Sequence, residues 1–358
     1  MLEFLVFGTL GALCLAVSIF QLSLVTVILL LFLLLIALRA IIGFPATMRG
    51  VAEGETAPGQ VPWRVYLEVL LGTKASRSQV SGEGTPRFQL CAMPVNHFGE
   101  KVRFCLDLLG VPYVEADRCG LLNVFLFGQS VPYLVDRHSC SRIGNSDECL
   151  RYLFAIYSPR NAAADRLLKQ NEDTVKWEKD LNKLGHAIQG YAYFFLLGAS
   201  GSRTSALTAW GGFEPLCPFY QRCLLCWLFP VFKFFMRNAF KLHDEQRNLP
   251  RLEFIEKLLD RVDAAVGPEG LGYIVGDHLT YVDISFVALM GPMMPSRICL
   301  KEGSPWARNR FKSFSSSSGV GILDEYPQQL RDFEEKTARR PTGKFVCRIF
   351  EEFRYKTL

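Results

Sequence analysis

Residues 4–38 carry no charged side chain, and Leu, Val, Ile and Phe fill the run with only scattered polar positions such as Gln21 and Ser23. A helix through it would reach about 50 Å at ~1.5 Å per residue, more than a hydrocarbon core of about 30 Å requires. A soluble core helix does not fit, because there is no polar face. A cleaved signal would open on basic residues and stop sooner, whereas this chain opens Met1-Leu2-Glu3. The pattern predicts one tilted transmembrane helix or, in second place, a tight two-helix hairpin around Gln21. Glu3 precedes the run and Arg39, Arg49 and Arg64 follow it. The positive-inside bias therefore puts the bulk of the chain in the cytosol on a single-pass anchor.

Residues 43–85 mix Gly, Pro, Ser, Thr and charges around one amphipathic patch at 61–71, and read as a juxtamembrane linker with Trp63 and Tyr66 at the interface. A strand follows from Arg87 to Cys91. Phe98, Val102, Cys105, Leu106 and Leu109 then recur at helical spacing, Gly110 ends that helix, and Pro112 leads into a strand at Tyr113 and Val114. Another strand is predicted at 132–135. Asn145 or Ser146 caps the next helix, which carries Cys149, Leu150, Tyr152 and Leu153.

From Asn161 on, the period is helical. One long amphipathic helix spans 165–195, an aromatic helical stretch covers 215–240, and Leu252, Ile255, Leu258, Leu259 and Val262 line one face of another. The Gly/Ser/Thr-rich segment at 199–212 reads as a surface loop. Gln221, Arg222, Pro230 and Lys233 interrupt residues 219–235 too often for a second span, so that stretch reads as core or interfacial helix. Thr280 and Asp283 have the spacing of a capping box before the apolar helix at 284–290. Tyr326-Pro327 opens a helix through Phe333, with Arg340-Pro341 beyond it, and a serine-rich loop at 313–321 precedes them.

Composition changes this picture little. Of 358 residues 49% are apolar and 21% charged, which suits two globular domains with an apolar surplus, and a net charge of +5 spread along the chain does not imply nucleic acid. The eleven cysteines are an odd number scattered through apolar segments, a pattern for a reducing compartment. Cys217, Cys223 and Cys226 with His243 lack the paired halves of a zinc site, so no metal is expected.

The chemistry gathers around Ser130-Val131-Pro132. A central strand cannot spare the N–H that proline lacks, so Pro132 implies a special backbone geometry; a cis Val131–Pro132 bond would leave the N–H and C=O of Val131 to pair with an extended peptide. The N-terminus of the helix after Asn145-Ser146 favours a carboxylate. An ordinary turn and an ordinary cap would explain either motif alone.

Val131-Pro132-Tyr133-Leu134, followed by Asn145-Ser146-Asp147-Glu148-Cys149-Leu150-Arg151-Tyr152-Leu153, resembles the glutathione transferase pattern V-P-x-L, spacer, E-S-x-x-I-x-x-Y-L, with asparagine in place of the usual glutamate. Residues 101–113 resemble that family's first helix, and Gly276-Asp277 through Thr280 to Asp283 its G-D-x-x-T-x-x-D turn. The resemblance covers roughly residues 86–350 and implies an α/β thioredoxin-like domain followed by an all-α helical-bundle domain. The expected divisions are an anchor at 1–42, a linker at 43–85, the glutathione-binding domain at 86–158 and the helical domain at 159–358. Glutathione is the implied co-substrate, an apolar electrophile its partner, and a homodimer the implied assembly.

The family's sulfur-activating Tyr, Ser or Cys has no counterpart here. Ala92 falls at the tyrosine position and Asn96, with His97 beside it, at the Ser/Cys position. Asn96 could orient a thiolate or simply cap the helix; His97 could be a cationic donor or face solvent. Ser130, Val131, Pro132, Asn145 and Ser146 are the implied glutathione contacts. Residues 117–127 leave little room for the family's second helix. Two functions follow: a membrane-anchored transferase, or a non-catalytic transferase-like binding or organelle-membrane scaffold protein.

Overall fold

The computed structural model describes residue 26 and residues 86–93, 96–122, 131–139, 141–198, 201–213, 217–243, 245–298 and 327–354. The expected anchor and linker, apart from Thr26, lie outside these residues, as do Ser130 and the serine-rich loop at 313–321. Among the described residues no helix is long and apolar enough to cross a membrane.

The first half of the described chain is built on a four-stranded sheet in the order β2-β1-β3-β4. Strand β1 (Phe88–Ala92) leads through helix α1 (His97–Leu108) to β2 (Tyr113–Asp117), which pairs parallel to it. β3 (Tyr133–Asp136) and β4 (Ser141–Gly144) then add antiparallel. Strand, helix, parallel strand and antiparallel pair make the thioredoxin-type arrangement that the family resemblance implies, with β4 as a strand the sequence reading did not include. Every position of all four strands is buried, so alternation is weak and the sheet reads in the sequence as short apolar runs. Helix α2 (Ser146–Tyr157) follows β4 and buries Cys149, Leu150, Tyr152 and Leu153, the face predicted for it.

Helices make up the rest. They are α3 (Ala162–Leu168), α4 (Glu172–Leu196), α5 (Arg203–Ala209), α6 (Phe219–Trp227), α7 (Phe229–Ala239), α8 (Asn248–Val266), α9 (Tyr281–Met290), α10 (Gln328–Ala338) and α11 (Pro341–Phe353). The predicted long helix at 165–195 is two helices. Asn171 breaks it, its side chain accepting from the Thr174 N–H while the Thr174 hydroxyl receives the Asn171 N–H, a reciprocal cap that costs less than continuing through Asn.

The predicted surface loop at 199–212 is also corrected: it contains α5, and Ala206, Leu207 and Trp210 from it are buried. Their spacing of one and three residues is helical, and burial of Trp210 outweighs the surrounding Ser, Thr and Gly. The helix opened by Pro327 runs to Ala338, and Pro341 begins α11 at its first position, where a missing N–H is harmless.

Helix α9 is buried at every position and packs against α1, α4 and α11, which explains its lack of a polar face. Asp283 holds its entrance. One carboxylate oxygen accepts from the Ile274 N–H at 2.7 Å, and the other from the Thr280 N–H and hydroxyl at 2.8 and 2.9 Å. One apolar core runs from the sheet through α1 into α4, α8, α9 and α11; a second gathers Trp210, Leu225, Phe229, Phe232 and Met236 under α5, α6 and α7.

Candidate functional site

The Val131–Pro132 peptide is cis, as the sequence predicts. Tyr133 sits opposite Gly144 in the β3–β4 ladder, so the residues just before Tyr133 and just after Gly144 lie side by side. The register thus places Val131-Pro132 next to Asn145-Ser146 at the start of α2. Among the described residues nothing accepts from the Val131 N–H. Gly120 backs the turn closely: a Cβ there would fall 2.4 Å from the Met93 sulfur and 3.1 Å from a Val131 methyl, so only glycine fits without displacing one of them.

Asn96 joins the turn to α1. Its side-chain oxygen accepts from the Gly99 N–H at 3.1 Å, capping the helix, while its amide nitrogen donates to the Val131 carbonyl, also at 3.1 Å. One amide thereby fixes both the start of α1 and the orientation of the Val131 peptide. The second proton of that amide is left to serve another acceptor.

His97 turns the other way, toward the helical half. Its Nε2 lies 3.2 Å from the Gly185 carbonyl on α4, and since a carbonyl can only accept, Nε2 carries the proton. The ring also stacks on Phe98, with centroids 4.5 Å apart. Burial pulls its pKa down to about 4, the Gly185 carbonyl opposing and His186 reinforcing the shift. The imidazole is therefore neutral near pH 7 and supplies no positive charge to a sulfur.

Asn145 has φ 60° and ψ 150°, a conformation left almost entirely to glycine, and its side chain makes no cap hydrogen bond. It is exposed, while Ser146 beside it is buried. Asp147 and Glu148 occupy the first turn of α2, so the dipole there already meets negative charge. An arriving group therefore finds N–H donors and carboxylates together, which suits a zwitterion better than a bare anion.

Beneath this turn lies an ionic cluster that motif reading does not find. Lys101 of α1 is buried and its Nζ stands 2.5 Å from Asp147 and 3.6 Å from Glu178 of α4. Asn182 donates to the other Asp147 oxygen, and Arg151 of α2 donates to Glu178 at 3.1 Å. Burial pushes the Asp147 carboxyl up, but the Lys101 ammonium and the Asn182 amide outweigh it and hold the group below the ordinary range. Glu178, desolvated and beside Asp147, is displaced upward. The signal for this cluster was a lysine one turn from Cys105 on the apolar face of α1, a place where a charge requires a partner.

Among the described residues, the cysteines of β1 and α1 are poorly suited to act as nucleophiles. Cys91 is fully buried in β1, and burial pushes the Cys105 thiol up to about 12. Of the predicted site residues, the structure brings Asn96, Val131, Pro132, Asn145 and Ser146 to one turn, sets His97 against α4, and leaves Ser130 outside the described residues.

Residues 227–298, covering α7 to α9, match the family model of the glutathione S-transferase C-terminal domain. No curated protein matches the chain. Among solved structures, Ure2p5 from Phanerochaete chrysosporium, cocrystallised with 1-(S-glutathionyl)-2,4-dinitrobenzene, is 14% identical with a TM-score of 0.35 over 75% of this chain and 97% of its own. A glutathione transferase family member from Pseudomonas fluorescens with two glutathione bound is 15% identical, with a TM-score of 0.37 over 76% of this chain and 95% of its own. FzlA from C. crescentus is 14% identical, with a TM-score of 0.36 over 72% and 90%.

Proposed function

We propose that the protein is a membrane-anchored, glutathione transferase-like protein that binds glutathione at the Val131 turn and conjugates its thiolate to an apolar electrophile. The observation that carries this reading is the Val131 N–H, without a partner among the described residues, standing beside the N-terminus of α2 in the Tyr133–Gly144 register. The tripeptide backbone pairs with Val131, whose carbonyl keeps a lone pair beside its bond to Asn96. The γ-glutamyl end is a zwitterion: its carboxylate meets the Ser146 hydroxyl and the first N–H groups of α2, and its ammonium meets Asp147 or Glu148.

This pose directs the cysteinyl sulfur toward the start of α1. There the helix dipole and the second Asn96 amide proton favour the thiolate, the thiol proton passing to solvent. The sulfur lone pair then forms a C–S bond to the electrophilic carbon as the leaving group departs with its own electron pair. The charge-free run at 4–38 holds the chain in a membrane with its folded part in the cytosol, where an apolar electrophile arrives from the bilayer.

A second reading, a binding or scaffold protein without catalysis, is favoured by one observation: Asn96 is already engaged at Gly99 and Val131, and His97 is neutral. Calorimetric titration of the full chain with glutathione, paired with an assay against an aromatic halide, separates the readings. Saturable micromolar binding with conjugation is expected, and Asn96→Ala should lower turnover by about a hundredfold, as for loss of one pre-aligned donor. Micromolar binding with turnover counts against the second reading; absence of binding removes the first and leaves the scaffold.

A further inference from the structure

The aromatic segment of α6 and α7 has a use that neither the glutathione cleft nor the anchor absorbs. Their inner faces, with Tyr220, Leu224, Leu225, Phe229, Phe232 and Met236, close the second core. What remains points away from it. Phe219 is 63% exposed, Trp227 43% and Phe234 64%, with the Phe235 ring packed edge-on against Phe234. Phe219, Cys223 and Trp227 recur every four residues, so the exposed side of α6 is itself an apolar stripe.

Charge decides what covers such a face. Between Glu214 and Asp244 there is no acidic residue, while Arg222, Lys233, Arg237 and Lys241 are spread through the interval. Arg222 lies over the Phe219 ring at 5.7 Å, Lys233 reaches the Gly198 carbonyl at 3.5 Å, and Arg237 that of Leu197 at 2.9 Å. Arg222 is thus held at an exposed ring, while Lys233 and Arg237 lie on α7 next to and one turn from Phe234 with their heads at the end of α4. Large rings flanked by cations of a single sign match the boundary between acyl chains and anionic headgroups, where aromatic rings partition and each cation gains from the surface potential. A protein would need a wholly acidic face to meet the same cations, and the vesicle comparison below separates that occupant from a lipid surface.

We propose that the outer face of α6 and α7 lies on an anionic phospholipid surface, Phe219, Trp227 and Phe234 entering the headgroup layer and the four basic residues resting above it. The folded part is then held flat against the bilayer by a contact separate from the run at 4–38. Cys223, exposed between Phe219 and Trp227, reports the contact directly.

The full chain is reconstituted into phosphatidylcholine vesicles with or without phosphatidylserine. Cys223 is labelled with a membrane-impermeant maleimide, with Cys347 on α11 followed as an internal reference by peptide mass mapping. Phosphatidylserine should slow labelling of Cys223 roughly tenfold relative to Cys347, the scale set by burying one aromatic side chain. High salt, and the surface variant Phe219→Glu with Phe234→Glu, should restore the rate seen without phosphatidylserine. The proposal is overturned if phosphatidylserine leaves Cys223 labelling unchanged, if protection survives the double substitution, or if it arises without vesicles as protein concentration rises, which would mark a contact between copies. Flotation with phosphatidylcholine vesicles alone reports the anchor independently, so the two ideas fail separately.

Discussion

At the scale of single residues, His97 gives the sharpest pH signature. Its ordinary value is 6.5 and the folded value about 4, so between those limits the unfolded chain binds more proton than the folded one. Stability contributed by neutral His97 is therefore complete above about pH 6.5 and lost as pH falls toward 4. The difference between the pH profiles of wild type and His97→Gln in urea melts should rise through that window and be flat above it. A flat difference throughout would place His97 in water. The resemblance to the family's first helix singled out Asn96 and His97, yet not their partners. Those are the carbonyls of Val131 and Gly185, 35 and 88 residues distant, and no side-chain pattern announces a main-chain oxygen.

At the scale of elements, capping chemistry was the most legible. Thr280 and Asp283 give the start of α9 from sequence, because a hydroxyl and a carboxylate three apart can satisfy each other's N–H groups only at a helix entrance. Burial nonetheless pushes Asp283 up to about 6 despite its three donors. Asp283→Ala leaves the Ile274 and Thr280 donors without their acceptor in the core, and should lower unfolding free energy by about 2–4 kcal/mol in denaturant titration. Thr280→Ala should cost about 1–2 kcal/mol, since the cap on the Val282 N–H and the hydroxyl's bond to Asp283 are both lost. The misread segments failed for a related reason. Asn171 was absorbed into an apolar period, although its side chain ends one helix and starts the next, and the polar residues around Trp210 hid a three-residue apolar face.

At the scale of the molecule, the two halves meet through α1. Its Phe98 lies against Gly185 of α4, where a Cβ would fall 2.4 Å from the ring, and its Lys101 joins Asp147 to Glu178. Lys101→Met removes the cation between half-buried Asp147 and buried Glu178, leaving Arg151 alone on Glu178, and should cost about 3–5 kcal/mol in thermal or urea unfolding. Adding Asp147→Asn should recover part of that loss, because one stranded charge is removed with it. The opening strand, helix and strand and most of the later helices were readable from apolar period and turn residues, whereas β4, α5 and the break between α3 and α4 were not. The ionic seam was not, since Lys101, Asp147 and Glu178 stand far apart along the chain and only the packed fold shows that they face one another.

A last bond on α1 bears on how the protein comes into being. Arg354, just past α11, is fully buried and gives its guanidinium to Glu100 at 2.7 Å and Asp107 at 2.6 Å, the first of these spanning 254 positions of chain. While a ribosome is still translating, those carboxylates have no such cation and favour staying in water over entering a core. The seat of the helix that presents Asn96 thus depends on a side chain far along the chain. Arg354→Met therefore strands two carboxylates on the helix that Asn96 caps, and the Val131 turn feels a change made 254 positions from Glu100.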